Sequence, residues 1–341
     1  MLIAVLVLLV ITLGATGYSD RILSAVVGEE MRGLRTSLAD TIRDPAELEQ
    51  TLQVRRIELE HSYGLDRPWY DRLPGMVGRV LTFDLGEART LRSTEGSNRV
   101  SDIVLERLPN TMLLLTTSLL ITASIGLAVG LWLSTRVGSR IDRFVSWAAA
   151  VSYALPGWWT GIILILILGF GLRLLPAGGM FSSPPPTDQL GRFGDLLYHA
   201  ILPILTLVVV SIGPSIYVVR TMTMTVAQDD HVTLARAKGM PGGIVARRHI
   251  LRPAAPPIVT GLILGLAGTL GGAILVETVF EWQGMGRLYY DAIAGTPDES
   301  LIVGLTFMFT LLYVIARLIL EVLYVFLDPR VRYDDGPART A

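Results

Sequence analysis

The sequence predicts an all-α, polytopic membrane protein, and two observations carry that expectation. Hydrophobic residues make up 51% of the 341, only 17% are charged, and mean hydropathy is +0.52, too apolar for a soluble domain with a water-facing surface. The apolar residues also gather into six stretches: Leu2 to Gly17, Thr111 to Thr135, Phe144 to Leu172, Ala200 to Val219, Ile258 to Phe280 and Ile302 to Leu327. Each is near the roughly 20 helical residues that a bilayer core requires. The expected architecture is six transmembrane helices with a long segment between the first and the second.

The first stretch is short and has no basic residues before it. It reads as a membrane anchor over residues 1–17; the alternative is a signal peptide whose small residues near Ala15 and Gly17 mimic a cleavage site. Orientation follows from the short loops, because Lys and Arg collect on the cytoplasmic side. Arg136, Arg140 and Arg143 follow the second stretch, Arg236, Lys238, Arg247, Arg248 and Arg252 follow the fourth, and Arg330, Arg332 and Arg339 lie in the tail, residues 328–341. The loops holding Arg173, Arg192 and Arg287 are poorer in basic residues and fall on the other side. Both termini are then cytoplasmic, residues 18–110 are extracytoplasmic, and residues 111–327 form a five-helix core.

Within the outer segment, Asp44, Pro45 and Glu47 read as N-cap, first helical residue and capping-box partner of a helix with Leu48, Leu52 and Leu59 on one face, ending near Gly64. A second helical stretch starts at Pro68 with Trp69 and Tyr70, is interrupted at Pro74, and resumes with Met76, Val77 and Val80. The segment serves either as a connector packed on the membrane domain or as a docking surface for an external partner. The loop from Pro176 to Phe193, with Pro184, Pro185 and Pro186 in succession, is a stiff excursion suited to either role.

Inside the membrane region, Gly261, Gly265, Gly268 and Gly272 recur at helical spacing and expose a smooth face for another backbone, with pore lining as the other use. Pro156, Pro203 and Pro214 each remove a backbone donor and favour kinks. Arg317 and Glu321 are four apart, so they face one another as a structural pair near the cytoplasmic interface; an unpaired charge at mid-bilayer costs about 2.5–3.5 kcal/mol. Glu277, at the outer end of the fifth stretch beside Phe280 and Trp282, either structures the loop that follows or touches a substrate. Gly284 and Gly286 follow in the same run.

Between the fourth and fifth stretches, residues 221–257 hold the only lysine, Lys238. One helix is expected over Ala227 to Lys238, broken by Gly239; a second starts at Pro241 and carries Arg247, Arg248 and His249 until Pro253 stops it. Two short helices joined at a glycine make a knob whose apolar side fits a groove and whose arginines reach carboxylates on its rim. A positive-inside loop lying on anionic headgroups explains the charge but not the Gly and Pro punctuation.

Ala235-Arg236-Ala237-Lys238-Gly239, followed by Arg248-His249 and Pro256, resembles the EAA loop of ABC importer permeases in the form found in the dipeptide/oligopeptide/nickel family. Tyr63-Gly64-Leu65-Asp66-Arg67-Pro68, Arg107-Leu108-Pro109-Asn110-Thr111, Leu175-Pro176-Ala177-Gly178-Gly179, the run from Val276 to Leu288, and Leu327-Asp328-Pro329-Arg330-Val331-Arg332-Tyr333 are similar to further family segments, in order. The run from Val276 resembles the outer gate region, which implies a path or gate role for Glu277, Phe280, Trp282, Gly284 and Gly286. The resemblance implies a type I importer: two related permease subunits form the path, two ATPase subunits bind ATP and Mg, and an external binding protein delivers solute. It makes Ala235 to Gly239, Pro241 and Arg247 to His249 the coupling element that sits in the ATPase groove. It places the protein in a prokaryotic plasma (inner) membrane. The chain departs from the family at Thr233, in the acidic position of the loop, at Pro241-Gly242-Gly243, and at Gln283, where proline is usual.

Other classes are poorly served. No Gly-x-x-x-x-Gly-Lys-Ser/Thr run exists, so ATP is expected on another subunit. With no cysteine there is no disulfide, thiol chemistry or Cys-based zinc site, no metal or cofactor is expected in this chain, and a net charge of -1 does not suggest nucleic acid. An intramembrane enzyme would want a His/Asp/Glu cluster or activated Ser inside the apolar stretches, but His61, His199, His231 and His249 lie in loops or at their ends, and neither Gly-x-Ser-x-Gly nor His-Glu-x-x-His occurs. A passive channel or a membrane anchor remains the rival of a different class. The cargo, peptide or related small solute, is not encoded in any of these motifs.

Overall fold

The computed structural model describes residues 2–39, 42, 44–71, 74, 75, 78, 82–89, 91–294 and 297–327. In chain order the helices are α1 (Leu2–Ala15), α2 (Tyr18–Ala39), α3 (Pro45–Ser62), α4 (Val100–Ser134), α5 (Arg140–Ala154), α6 (Gly157–Leu164, running into a π-helical turn Ile165–Gly171), α7 (Gln189–Ala227) and α8 (Asp230–Ala237). A turn of helix at Gly242–Ile244 and a π-helical turn Val245–Leu251 lead into α9 (Arg252–Val279), followed by α10 (Met285–Ala294) and α11 (Glu299–Leu327). The one β feature among the described residues is an isolated bridge between Glu87 and Arg99. Among the described residues the fold is all-α, as the helical length of the apolar stretches predicts.

Among the described residues α4, α7 and α11 are long and apolar enough to cross a bilayer, and the α5–α6 pair adds a fourth if taken as one span. At 14 residues, α1 rises only about 21 Å. That leaves it short of a bilayer core of about 30 Å. The third apolar stretch is not a kinked rod: α5 and α6 meet at 102°. Pro156 forces the preceding Leu155 out of helical geometry (φ −83°, ψ 122°), and with no N–H of its own it starts α6 afresh.

The chain forms two units, Met1–Glu106 with Leu288–Leu311, and Arg107–Arg287 with Leu312–Ala341. In the first, α2 packs on α3, with Leu23, Val27 and Leu52 buried. Helix α3 begins at the expected cap, though without the expected capping-box bond from Glu47: the Asp44 carboxylate accepts the Ala46 N–H at 3.0 Å, Pro45 is the first helical residue, and Gly64 follows the C-cap with φ +66°. The Tyr63 hydroxyl donates to Glu30 at 2.6 Å, and burial, reinforced by that bond, raises its pKa above the ordinary tyrosine value. Asp298, fully buried, accepts the Arg89 N–H at 2.6 Å and the Leu301 N–H at 3.3 Å, tying the 86–100 loop to the start of α11. Trp69 to Asp71 are helical, whereas Met76, Val77 and Val80 lie outside the described residues.

The second unit is organised around α7. Gly126 and Gly130, one turn apart on α4, let α7 come so near that a Cβ on Gly126 would stand 2.1 Å from Ser215 Oγ and one on Gly130 2.7 Å from Val219 Cβ. On another side, a Cβ on Gly213 would meet the Ala149 carbonyl of α5 at 2.5 Å. That approach has a chemical use. Pro214 cannot offer an N–H to the carbonyl four residues earlier, Val210. Ser152 Oγ of α5 instead donates at 2.6 Å to the Val209 carbonyl and lies 3.2 Å from that of Val210.

Candidate functional site

The basic segment folds as a closed hairpin. Val232 and Ala235 of α8 pack against Val245 and Ile250 of the π-helical turn, with Leu131, Val226, Ala227 and Met240 around them. The structure corrects two expected boundaries. Ala227 and Lys238 are not in one helix, because α7 ends at Ala227 and Asp229, extended at ψ 148°, caps a new one. Pro253 does not stop the following helix either: it falls at the start of α9, where a missing N–H costs little, directly after the π-helical turn.

The turn between the two halves is a Schellman motif: the Met240 N–H reaches the Ala235 carbonyl (3.3 Å), the Gly239 N–H reaches that of Arg236 (2.9 Å), and Gly239 holds φ +72°. The Pro241 carbonyl accepts the Val245 N–H at 3.1 Å and opens the second half. Arg236, Ala237, Lys238, Gly239, Pro241, Arg247 and Arg248 are exposed, together with Leu234 and Ile244, whereas Ala235 points into the hairpin core. His249 is turned inward as well; its carbonyl accepts from His231 Nε2 at 2.9 Å.

A second constellation surrounds Glu277, whose side chain is fully buried. Its carboxylate accepts the Thr111 hydroxyl (2.8 Å) and the Arg287 N–H (3.0 Å), and Thr111 in turn accepts the Met285 N–H at 2.8 Å. Trp282 Nε1 donates to the Asn110 carbonyl at 3.1 Å, the Asn110 amide donates to the Gln283 carbonyl at 2.7 Å, and Arg107 donates to Gln283 Oε1 at 2.6 Å. Gly284 and Gly286 are small of necessity: a Cβ on Gly284 would sit 2.3 Å from a Glu277 oxygen, and one on Gly286 2.7 Å from Ile274 Cα. The Phe280 carbonyl accepts the Gly179 N–H at 2.9 Å, which brings the Leu175–Gly179 loop onto the same block. Glu277, Phe280, Trp282, Gly284 and Gly286 are all buried within the chain.

Three further features escaped the sequence reading. Arg220, just past the fourth apolar stretch on α7, grips Asp142 of α5 with two bonds of 2.6 and 2.7 Å. Asp142 also accepts the Gly138 N–H (2.9 Å), while its own N–H goes to the Ser139 cap at 3.1 Å. Ser139-x-x-Asp142 is a legible helix start, but nothing in the sequence pairs Asp142 with a residue 78 positions away. Gly126-x-x-x-Gly130 was the second available signal. Gly261 and Gly265 do not make the close approach expected of them: Gly261 meets Val218 at 3.4 Å and Gly265 meets nothing within 4 Å. Both instead border the third feature, a cavity of about 330 Å³ lined also by Ser118, Thr122, Tyr153 and Ser211. The surroundings of Gly268 and Gly272 lie outside what is described.

Arg317 and Glu321 do face one another, at 3.9 Å, with 59% and 56% of their side chains exposed. Near the start of α7, Asp195 accepts both the N–H (2.7 Å) and the hydroxyl (2.8 Å) of Ser182. This Ser, Asp and His199 do not form a hydrolase triad, because the hydroxyl goes to the carboxylate and not to the imidazole. No group of His, Cys, Asp or Glu suited to a metal ion is found among the described residues.

An all-helical, multi-span chain with a compact basic hairpin between two of its longest helices is the membrane subunit of a larger transport machine. The chain belongs to the family of binding-protein-dependent transport system inner membrane components, whose model matches residues 126–333. It is 30% identical over 323 residues to the oligopeptide transport system permease protein AppB of Bacillus subtilis (strain 168), covering 95% of this chain and 96% of that one. It is also 30% identical over 290 residues to the di/tripeptide transport system permease protein DppB of Pseudomonas aeruginosa (strain UCBPP-PA14), covering 81% and 84%. Among solved structures, the inward-facing MetNI methionine ABC transporter matches with a TM-score of 0.54 at 15% identity, covering 66% of this chain and 96% of that one, a likeness of fold. The family expected from the Ala235–Gly239 loop is thereby established.

Proposed function

We propose that this chain forms half of the translocation path of an ATP-driven importer of short peptides, paired with a second, related permease. Two ATPase subunits bind its inner face, and an extracytoplasmic binding protein delivers the cargo. The observation that carries this reading is the hairpin over 230–251, rigid inside and cationic outside, which runs without a break into α9. Its exposed Leu234 and Ile244 supply an apolar contact, and Arg236, Lys238, Arg247 and Arg248 the charged rim that a groove with acidic edges recognises. Peptide cargo rests on the names of the relatives. The arginine distribution supports both termini lying in the cytoplasm.

Nothing covalent happens in this subunit. Closure of the ATPase pair on ATP pushes the two hairpins together, and α9 carries the displacement to the Glu277 block at its other end. That block acts as a brace for the outer gate and not as a surface that touches cargo, since all five of its candidate gate residues are buried. The cavity bordered by Gly261 and Gly265 is the part of the path this chain supplies.

The test is reconstitution of the complete complex in vesicles with its binding protein. Peptide-dependent stimulation of ATP hydrolysis together with peptide uptake is the expected result. A passive channel would take up solute with no ATP requirement, and a structural anchor would take up none.

A further inference from the structure

From the ion pair on α11 we infer that the face of that helix carrying Arg317 and Glu321 is the surface against which the second permease subunit packs. The inference rests on the proposed pairing of two permeases and says which face makes it.

The argument begins with depth. Helix α11 runs from Glu299 to Leu327, and at 1.5 Å per residue Arg317 lies roughly 15 Å from its inner end and roughly 27 Å from its outer end. Glu321 is one turn nearer the inner end. Both charges therefore lie within a helix that is long and apolar enough to cross a bilayer, Arg317 roughly 9 Å inside the end of its Glu299–Leu323 span and Glu321 close to that end.

Exposure is the second step. The two side chains are 59% and 56% exposed, and their neighbours Ile315, Leu318, Ile319 and Val322 are exposed as well, between 42% and 59%. The Arg220–Asp142 pair of the same unit is handled differently: its members close to 2.6 Å and leave 17% and 5% exposed. At 3.9 Å the α11 pair is loosely closed, an ion pair with no hydrogen bond, and neither member makes a side-chain hydrogen bond elsewhere among the described residues.

Such a pair facing acyl chains would have no polar partner for its remaining donors and acceptors, which is why intramembrane charges face protein or water. Water-soluble ATPases and binding proteins reach only the ends of a span. The occupant that reaches this depth is another membrane-spanning chain, and it must bring polar groups to receive an arginine and a glutamate set in an apolar rim. Across a two-fold related pair of similar subunits, each pair can open and exchange partners with its counterpart.

The experiment uses the whole complex in native membranes. A photo-crosslinking amino acid is placed at Leu318 or at Val322, and the adduct is identified by mass. The expected product joins this chain to the second permease; adducts with lipid alone overturn the inference. As an independent measurement, R317L/E321L is purified through a tag on this chain. Recovery of the second permease is expected to fall at least about tenfold while the chain remains inserted. Unchanged recovery, the result for a lipid-facing pair made apolar, also overturns the inference. If the unmodified chain recovers neither a second permease nor ATPase subunits, the functional proposal itself fails; if it recovers both and the adducts are with lipid, only the assignment of this face does.

Discussion

Removing one partner of the Asp142–Arg220 pair strands the other where almost no water reaches it, since 5% and 17% of the two side chains are exposed. Breaking such a pair costs about 3–5 kcal/mol, whereas removing both charges spares the second desolvation penalty. Asp142→Asn and Arg220→Met should each lower the melting temperature of the purified complex more than the double variant does relative to either single one, with a coupling of about 1–3 kcal/mol. Additive losses in that cycle would show that the two residues act separately. Around Glu277 the steric margin is equally narrow. Gly284→Ala places a Cβ 2.3 Å from the carboxylate, an overpacking of about 1–3 kcal/mol, and should destabilise the complex; Glu277→Ala strands the Thr111 hydroxyl and the Arg287 N–H and should do so too. If Glu277→Ala instead melted like the parent and altered only peptide affinity, Glu277 would be a cargo contact. Glu277 itself was legible as a charge out of place at the end of an apolar run. Thr111 was not, because its partner lies 166 residues away and no local pattern marks a threonine that both donates and accepts.

At the scale of the element, Gly239 is a conformational requirement and not a steric one: φ is +72° and nothing lies within 4 Å of where a Cβ would stand. A β-branched residue there pays the left-handed penalty of about 1–2 kcal/mol and strains the Schellman closure, while asparagine enters that region more readily. Gly239→Val should therefore leave the chain inserted but lower ATP-coupled uptake severalfold, and Gly239→Asn should keep most of it; measured in vesicles, equal uptake by both variants and the parent would remove the hairpin from the coupling path. The turn was readable because Gly and Pro act locally. The helix break at Gln228 and Asp229 was not, since no helix breaker stands there and the break is fixed by packing of Val232 and Ala235 onto Val245 and Ile250. Pro156 announced a kink, but its 102° angle depends on how α5 and α6 each find α7. Helix α2 was missed because its buried Leu23 and Val27 are spaced among charged residues that read as a solvated stretch.

At the scale of the whole molecule, composition alone decided the class, because a chain that is half apolar and has few charges can satisfy its backbone in lipid only as helices or as a closed barrel, and the runs are of helical length. What composition could not supply is the connection between the two working parts. In the second unit one continuous helix, α9, starts directly after the hairpin at Arg252 and ends at Val279, within the Glu277 block. Its 28 residues span roughly 42 Å, so on the proposed mechanism a push at the hairpin reaches the Glu277 block only if the rod between them stays stiff. Leu264 lies near its middle and is 39% exposed, so it can be changed without carving a cavity in the core. Proline there removes a backbone hydrogen bond and bends the rod, at about 3 kcal/mol, while alanine keeps it straight. Leu264→Pro should retain bound ATPase subunits and basal ATP hydrolysis but lose peptide uptake, and Leu264→Ala should retain all three. Wild-type uptake by the proline variant would mean that the displacement travels through α4 or α7 and not along α9; joint loss of uptake and of ATPase binding would mean that the hairpin depends on α9 for its own fold.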